Sequence, residues 1–271
     1  MKRALFYILF LLLTVSAIAA DQRDLQYRPE GRGFVRENGW NRYSRALYGS
    51  HANWRLETSD RPLFATYDKG KAWNIQLYLQ VGNHLYALDS TSYCRAYYEG
   101  GIREYVVRDE AWQGGELHVL AIAEHEGNNA LWQFVAKDFP KSVLGKKKTL
   151  KLNALRRPIA QMKMKRNGDL GTDPRENFEA LYPCPDSLRQ QLAWDASGTT
   201  YLRLVDNDRL VLVDSQEGAR LLQEENAFHE QLIGQLSFET PDPLINTLGP
   251  TLMAAADGLW DGLTWQHGCI G

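Results

Sequence analysis

The sequence predicts a mainly β protein: a large antiparallel β-sandwich, followed by a linker and the start of a helical segment. Three observations lead there. Short runs alternate apolar and polar residues, the period of a half-buried strand. Gly- and Asn-rich turn signals separate these runs at close spacing, which is the habit of antiparallel sheets. Past Pro241 the apolar spacing changes from every second residue to every third or fourth, which is helical.

Taken in order, Asp21 to Gly33 is polar. Phe34-Val35 then leads into Arg36-Glu37-Asn38-Gly39. Asn-Gly is a hairpin signal because both positions accept positive φ, so Arg42 to Gly49 is expected to be the returning strand. Trp73 to Gln80 sets Trp73, Ile75, Leu77 and Leu79 on one face. Similar runs occupy Leu85 to Leu88, Ile102 to Val107, Leu117 to Ala123 and Leu131 to Val135. Gly100-Gly101, Gly114-Gly115 and Gly127-Asn128-Asn129 stand between them. Lys137 to Gln190 reads as a long irregular middle, punctuated by Pro140, Pro158, Pro174, Pro183 and Pro185, with a turn at Asn167-Gly168-Asp169.

Tyr201 to Val205 and Arg209 to Val213 form a hairpin across Asp206-Asn207-Asp208. Leu221, Leu222, Phe228, Leu232 and Ile233 imply a short amphipathic helix, giving way to a final strand near Gln235 to Phe238. Beyond the linker Glu239-Thr240-Pro241-Asp242-Pro243, residues Leu244, Ile245, Leu248, Leu252, Met253 and Ala256 fall at helical spacing, and Pro250 interrupts or restarts that helix. The expected division is a signal peptide over 1–20, a sandwich over 21–240, and the linker with the start of a helical domain over 241–271. The chain reaches Gly271 without a helix cap or polar tail, so the helical domain is expected to continue past it.

Lys2 and Arg3 precede the apolar run Ala4 to Val15, and Ser16, Ala17, Ala19 and Ala20 follow. A basic head, a short apolar run and an A-x-A-like end describe a secretory signal peptide. The run is short for a membrane span, so an exported protein, periplasmic or extracellular, is expected, with no membrane attachment after cleavage. A net charge of −2 gives no support to nucleic-acid binding. Cys94, Cys184 and Cys269 read either as one disulfide, most simply Cys94 with Cys184, or as buried small hydrophobes. No C-x-x-C spacing points to zinc, and no metal or cofactor is expected.

His229-Glu230-Gln231-Leu232-Ile233 carries half of H-E-x-x-H, but Ile233 stands where the second imidazole must be, so a solvated helix face is the expected role. Phosphate loops and G-x-S-x-G are absent. Among the carboxylates, Asp109, Glu110, Glu124, Glu126, Asp169 and Asp173 read as turn and surface residues. Asp257 and Asp261 lie beside Trp260 and Trp265, yet Asp-Gly at both places also reads as a helix-end turn. The basic run from Lys137 to Arg166 is either a groove for acidic polysaccharide or a solvated insertion. Trp260, Asp261, Trp265 and His267 are the candidate substrate-binding residues: aromatic faces beside polar groups suit sugars, and packing of the helix on the sandwich is the alternative.

Arg45-Ala46-Leu47-Tyr48-Gly49 after Asn38-Gly39, the hinge Thr240-Pro241-Asp242-Pro243-Leu244-Ile245-Asn246, and Trp260-Asp261-Gly262-Leu263-Thr264-Trp265-Gln266-His267-Gly268 together resemble secreted bacterial glycosidase-like proteins. Those proteins join an N-terminal β-supersandwich to an (α/α)6 barrel, and the chain looks most like a domain-of-unknown-function family, number 4450, of polysaccharide-degrading bacteria. The resemblance implies a supersandwich-like fold followed by the first helix of a truncated α/α barrel. It implies the non-catalytic sandwich region of a glycoside hydrolase, with catalytic carboxylates on barrel loops outside this sequence. The expected partners are an oligo- or polysaccharide and the remaining helical domain of the same chain. Alternative readings are a free-standing carbohydrate-binding or adhesion sandwich and a polysaccharide lyase of the same architecture.

Overall fold

The computed structural model describes residues 26–49, 54–68, 71–144, 150–159, 189–196 and 198–265. The signal-peptide reading, the turn at 167–169, Asp169, Asp173, Cys184, His267 and Cys269 lie outside them. Two antiparallel sheets make up most of the described chain. The strands are β1 Arg28–Glu30, β2 Gly33–Glu37, β3 Tyr43–Tyr48, β4 Trp54–Ser59, β5 Leu63–Asp68, β6 Lys71–Val81, β7 His84–Ala87, β8 Tyr93–Glu99, β9 Ile102–Arg108, β10 Glu116–Ala123, β11 Ala130–Lys137, β12 Leu150–Ile159, β13 Gln190–Ala196, β14 Thr199–Val205 and β15 Arg209–Val213. The larger sheet runs β1-β2-β8-β9-β10-β11-β14-β15 and the smaller β13-β12-β6-β5-β4-β3, with β7 added beside β6.

The core lies between the two inner faces. Alternation along β9 and β10 sends Tyr105, Val107, Leu117, Val119 and Ala121 inward, where they meet Leu56, Phe64, Ile75, Leu77 and Leu79 of the smaller sheet. Phe64 stands edge-on to Tyr105 at 5.9 Å and to Trp132 at 5.5 Å, the geometry that aromatic quadrupoles favour.

The Asn38-Gly39 hairpin is not formed. β2 pairs with β8 and β3 pairs with β4, so the two strands belong to different sheets. Asn38 does take a positive φ of 47°. Its backbone N–H donates to the Cys94 carbonyl, and its side-chain oxygen accepts from the Cys94 N–H at 3.0 Å. The turn chemistry is thus used to end β2 against β8 and send the chain across to the other sheet. Gly39 is required there for a different reason: a Cβ would lie 2.4 Å from that of Asp60.

The irregular middle is corrected over residues 150–159. They form β12, which pairs along β6 from Lys151↔Gln80 to Ile159↔Ala72 and sits between β6 and β13. Pro158 falls at the end of that strand, where the missing donor does least harm. The basic residues Arg156 and Arg157 are not a solvated run either. Arg156 is buried, donates to the carbonyls of Asp208 and Asn207 at 2.6 Å, and lies 4.0 Å over the Trp73 ring. Arg157 reaches Asn74. Neither is left to grip an acidic polysaccharide. Burial lowers the Arg156 pKa to about 10 despite the nearby Asp208 carboxylate.

Four α-helices, α1 Lys141–Leu144, α2 Ser215–Ile233, α3 Pro243–Asn246 and α4 Leu248–Gly258, and two single 3-10 turns, Leu88–Ser90 and Glu110–Trp112, complete the described chain. Asp214 caps α2, accepting from the N–H groups of Gln216 and Glu217 at 3.0 Å. The helix is a full 19 residues, longer than the sequence pattern implied. Residues 235–238 after it are not a strand. α2 lays Leu221 and Leu222 on the outer face of the larger sheet, over Ile122, Leu131 and Tyr201. Thr247 separates α3 from α4, and Pro250 falls in the first turn of α4, the restart its sequence position implied. α4 packs against both α2 and β3, so a helical layer begins at Ser215.

Among the described residues, no helix is long and apolar enough to cross a membrane.

Candidate functional site

Two surfaces compete. The first is the edge presented by α4 and the loop after it. Trp260 and Trp265 face each other across a short antiparallel bridge, with ring centroids 4.7 Å apart and planes at 55°. The loop between them is closed by Asp261, whose Oδ1 accepts from the N–H groups of Leu263 at 2.9 Å and Thr264 at 2.7 Å. Asp261 therefore acts as the acceptor of its own turn, the local use that Asp favours. Gly262 supplies the positive φ of 98°. Trp265 donates from Nε1 to the Ala256 carbonyl at 3.0 Å yet leaves 70% of its surface open, and Leu263 leaves 85%. The structure thus brings Trp260, Asp261 and Trp265 together.

The second surface is the half of the larger sheet's outer face that α2 leaves uncovered. Register sets its layout. Across β8, β9, β10 and β11 one row runs Arg95, Val106, His118, Val135, and the next runs Tyr97, Glu104, Leu120, Gln133. Val106, Leu120 and Val135 form an aliphatic floor where a solvated sheet face normally carries polar residues. The hollow they line has a volume of about 310 Å³, within the range of small-ligand sites. Strands lie ~4.8 Å apart, so four of them give a groove roughly 14 Å across.

Its electrostatics are nearly self-balanced. Arg95 pairs with Glu30, and Glu116 accepts from Arg108 Nε at 2.6 Å and meets His118 Nε2 at 3.1 Å. Partial burial would raise the Glu116 pKa, but His118 and Arg108 overcome this and lower it. Glu104 reaches solvent yet stands within the hollow. Partial withdrawal from water, with Glu99 as a like charge nearby, raises its pKa. Gln133 donates from Nε2 to the Tyr201 hydroxyl at 2.9 Å, and Lys137 stands at the mouth. No motif marked these residues. Alternation showed which face they take, but the groove arises from strand order and from how far α2 reaches.

A third cluster is structural. His229, expected on a solvated face, is 5% exposed, and its Nδ1–H donates to the Gly100 carbonyl at 3.0 Å. His125 stacks on Phe228 at 4.4 Å and bonds through Nδ1 to Glu225 at 3.0 Å. Arg32 binds Glu230 and Glu99. Glu124, expected at the surface, is buried and takes two bonds from Arg203, at 2.6 and 2.5 Å. The cavity among Tyr48, His125, His229 and Asp257 is only about 10 Å³, enough for a water molecule and no more. Cys94 is a buried free thiol, with Sγ 3.8 Å from the Asp60 carbonyl oxygen, and burial pushes its pKa up to about 12.

The buried titratable groups of this third cluster are expected to make α2 docking pH-sensitive. Burial depresses the His229 pKa below 6.5. The unfolded chain then takes up a proton near that pH that the folded chain refuses. Stability is full above about pH 6.5 and declines as pH falls below it. Glu225 works the other way: burial raises its pKa above 4.5 against the pull of His125. The cost of its charge disappears as pH falls through that raised value. The ordinary His value of 6.5 lies inside the window from pH 7.5 to pH 5.5 and the ordinary Glu value of 4.5 lies below it, so the His229 effect should dominate there and urea midpoints should drop. His229→Asn, which keeps a donor toward the Gly100 carbonyl, should flatten that slope. An unchanged slope in the variant would place the titrating group elsewhere.

No family model matches the chain, and no curated protein matches it.

Proposed function

We propose that this chain is the non-catalytic sandwich region, with its hinge, of an exported carbohydrate-active enzyme, a glycoside hydrolase in which further helices complete an (α/α)6-type domain. One observation carries the reading. A helical layer already docked on the sandwich turns Ile245, Leu248, Leu252, Trp260, Leu263 and Trp265 outward, each at least 39% exposed. Packed helices bury their apolar stripe, and an apolar surface of this kind marks an interaction site. Further helices against α4 would cover the aliphatic residues. They would also leave the Trp260–Trp265 pair at a junction where a sugar ring can stack. The sequence resemblance to sandwich-plus-barrel glycosidases agrees with that geometry.

The purified chain is expected to hydrolyse none of a panel of nitrophenyl glycosides and plant polysaccharides. A longer polypeptide from the same reading frame is expected to cleave at least one, and polysaccharide products without unsaturated ends would separate hydrolysis from lyase chemistry. The chain alone should also enhance the fluorescence of anilinonaphthalene sulfonate, and Leu252→Lys with Leu263→Ser should reduce the enhancement. Glycoside cleavage by the chain alone, or a dye-silent wild type, would remove the reading.

The uncovered groove favours a second reading, a sandwich that binds glycan in its own right.

A further inference from the structure

We propose that the open half of the eight-stranded sheet is a binding site for a neutral, hydroxyl-rich glycan segment. The proposal rests on the carbohydrate reading above for its ligand class and adds the place and charge type of the ligand.

The floor comes first. Val106 and Val135 flank His118 in one row and Leu120 lies in the next. α2 covers the neighbouring apolar residues Ile122 and Leu131 but stops short of this area, with Leu120 only partly buried at the margin of the helix cluster. Aliphatic side chains on an otherwise solvated face fit the C–H surface of a pyranose ring, which is apolar while its edge is polar.

The rim comes second. Glu104 offers an acceptor, Lys137 and Arg95 offer donors, and Gln133 offers both. A hydroxyl donates and accepts, so a polyol can satisfy such a mixed rim, whereas a carboxylate or an ammonium would use only half of it. Charge decides between glycan types. The Arg95–Glu30, Arg108–Glu116 and His118–Glu116 contacts are made inside the protein, and Glu104 stands opposite in sign to Lys137. Among the described residues the groove carries no net cationic field to seat an acidic polysaccharide. Arg156 and Arg157 stand on β12 of the other sheet and are spent on the Asn207-Asp208 turn and on Asn74. The hollow is concave and about 310 Å³, suited to a few sugar rings rather than to the flat face of a second copy.

The test is an amide-resolved NMR titration of the intact chain. The neutral probes are cellohexaose, xylohexaose and mannohexaose, and the charged probes are hexagalacturonate and chitosan hexamer. At least one neutral probe should shift amides of β9, β10 and β11, while hexagalacturonate and the chitosan hexamer should not. Gln133→Ala and Glu104→Ala should each weaken binding about tenfold, the loss of one hydrogen bond. Val106→Asp should abolish it, with circular dichroism and melting temperature showing that each variant is folded. Silence from every neutral probe overturns the proposal. So does tighter binding of a charged probe, or a self-association through these strands that Val106→Asp dissolves. If the longer polypeptide hydrolyses a glycan while the groove stays silent, the functional reading stands and this inference falls. Binding here without hydrolysis by the longer polypeptide does the reverse.

Discussion

Asp60→Ala is expected to lower the unfolding free energy by about 3 to 5 kcal/mol, the range for removing one partner of a buried charge pair. Asp60 follows β4 in the smaller sheet, and its carboxylate meets Arg103 of β9 in the larger sheet at 3.2 Å, with both side chains fully buried. Asp60 Oδ1 also accepts from the Tyr27 hydroxyl at 2.5 Å and from Ser44 Oγ at 2.7 Å. Arg103 donates to the Ser59 carbonyl at 3.1 Å, and the Tyr105 hydroxyl donates to the same carbonyl at 2.8 Å. Burial would lower the Arg103 pKa, but Tyr105 and Asp60 more than offset it and raise it. The guanidinium is thus held charged inside the sandwich by groups from both sheets. Without Asp60 it keeps only neutral acceptors, which places the loss toward the lower end of the range.

Two further variants isolate the cause. Tyr105→Phe removes the hydroxyl's bond to the Ser59 carbonyl and the long bond it accepts from Arg103 Nε at 3.4 Å, and should cost about 1 to 2 kcal/mol, still less than Asp60→Ala. Asp60→Leu with Arg103→Met removes the fully buried pair together, and should cost less than Asp60→Ala alone, because Arg103 is no longer left stranded. Arg36, which also meets Asp60 at 3.5 Å, loses that partner in both variants and keeps its bond to Gln26. Urea unfolding followed by tryptophan fluorescence measures all three. A loss below about 1 kcal/mol for Asp60→Ala would mean that water reaches Arg103, and the pair would then be worth only what a surface pair is.

How far the sequence could be read follows the same physics. Strands with one face on the core and one in water were legible: β6, β9, β10 and β11 all sit where alternation puts them. β4 was not, because all of Trp54 to Ser59 is buried. Its Arg55 and Glu57 are charges paired inside the protein, where a sequence pattern expects solvent. β12 hid behind Lys151, which is exposed, and behind Arg156 and Arg157, whose charges are used on the Asn207-Asp208 turn and on Asn74. At Asn38-Gly39 the positive φ of Asn38 was legible and the hairpin was read wrongly. Local residue chemistry fixes the sign of φ, but the partner strand is chosen by contacts distant in sequence. His229 and Glu124 were misplaced for a similar reason, since their partners, Gly100 and Arg203, are far along the chain. Of the candidate site, the Trp260–Trp265 pair was legible because it is local. The groove was not, because it depends on four strands and on the reach of α2.

That reach can be tested through a glycine. Gly218 of α2 lies so close to the larger sheet that a Cβ built on it would sit 2.2 Å from Cγ of Tyr201. In a helix clear of other groups, Gly→Ala is stabilising by about 1 kcal/mol. Here the sign should reverse, and Gly218→Ala should cost about 1 to 3 kcal/mol through overpacking. Gly218→Leu leaves no compromise position, so α2 should lift from the sheet. The contacts of Leu221 and Leu222 would then be lost, at about 1.5 to 3 kcal/mol for each buried leucine. Hydrogen exchange would show this as early opening confined to α2 and α4, which pack on each other, while β9 and β10 stay protected. Tyr201→Ala should relieve the clash, making the double variant with Gly218→Ala less destabilised than the sum of the two. A more stable Gly218→Ala protein would mean that α2 rides higher on the sheet. In that case the helix could not end the groove at Leu120, and the boundary between covered and open sheet would have to be drawn elsewhere.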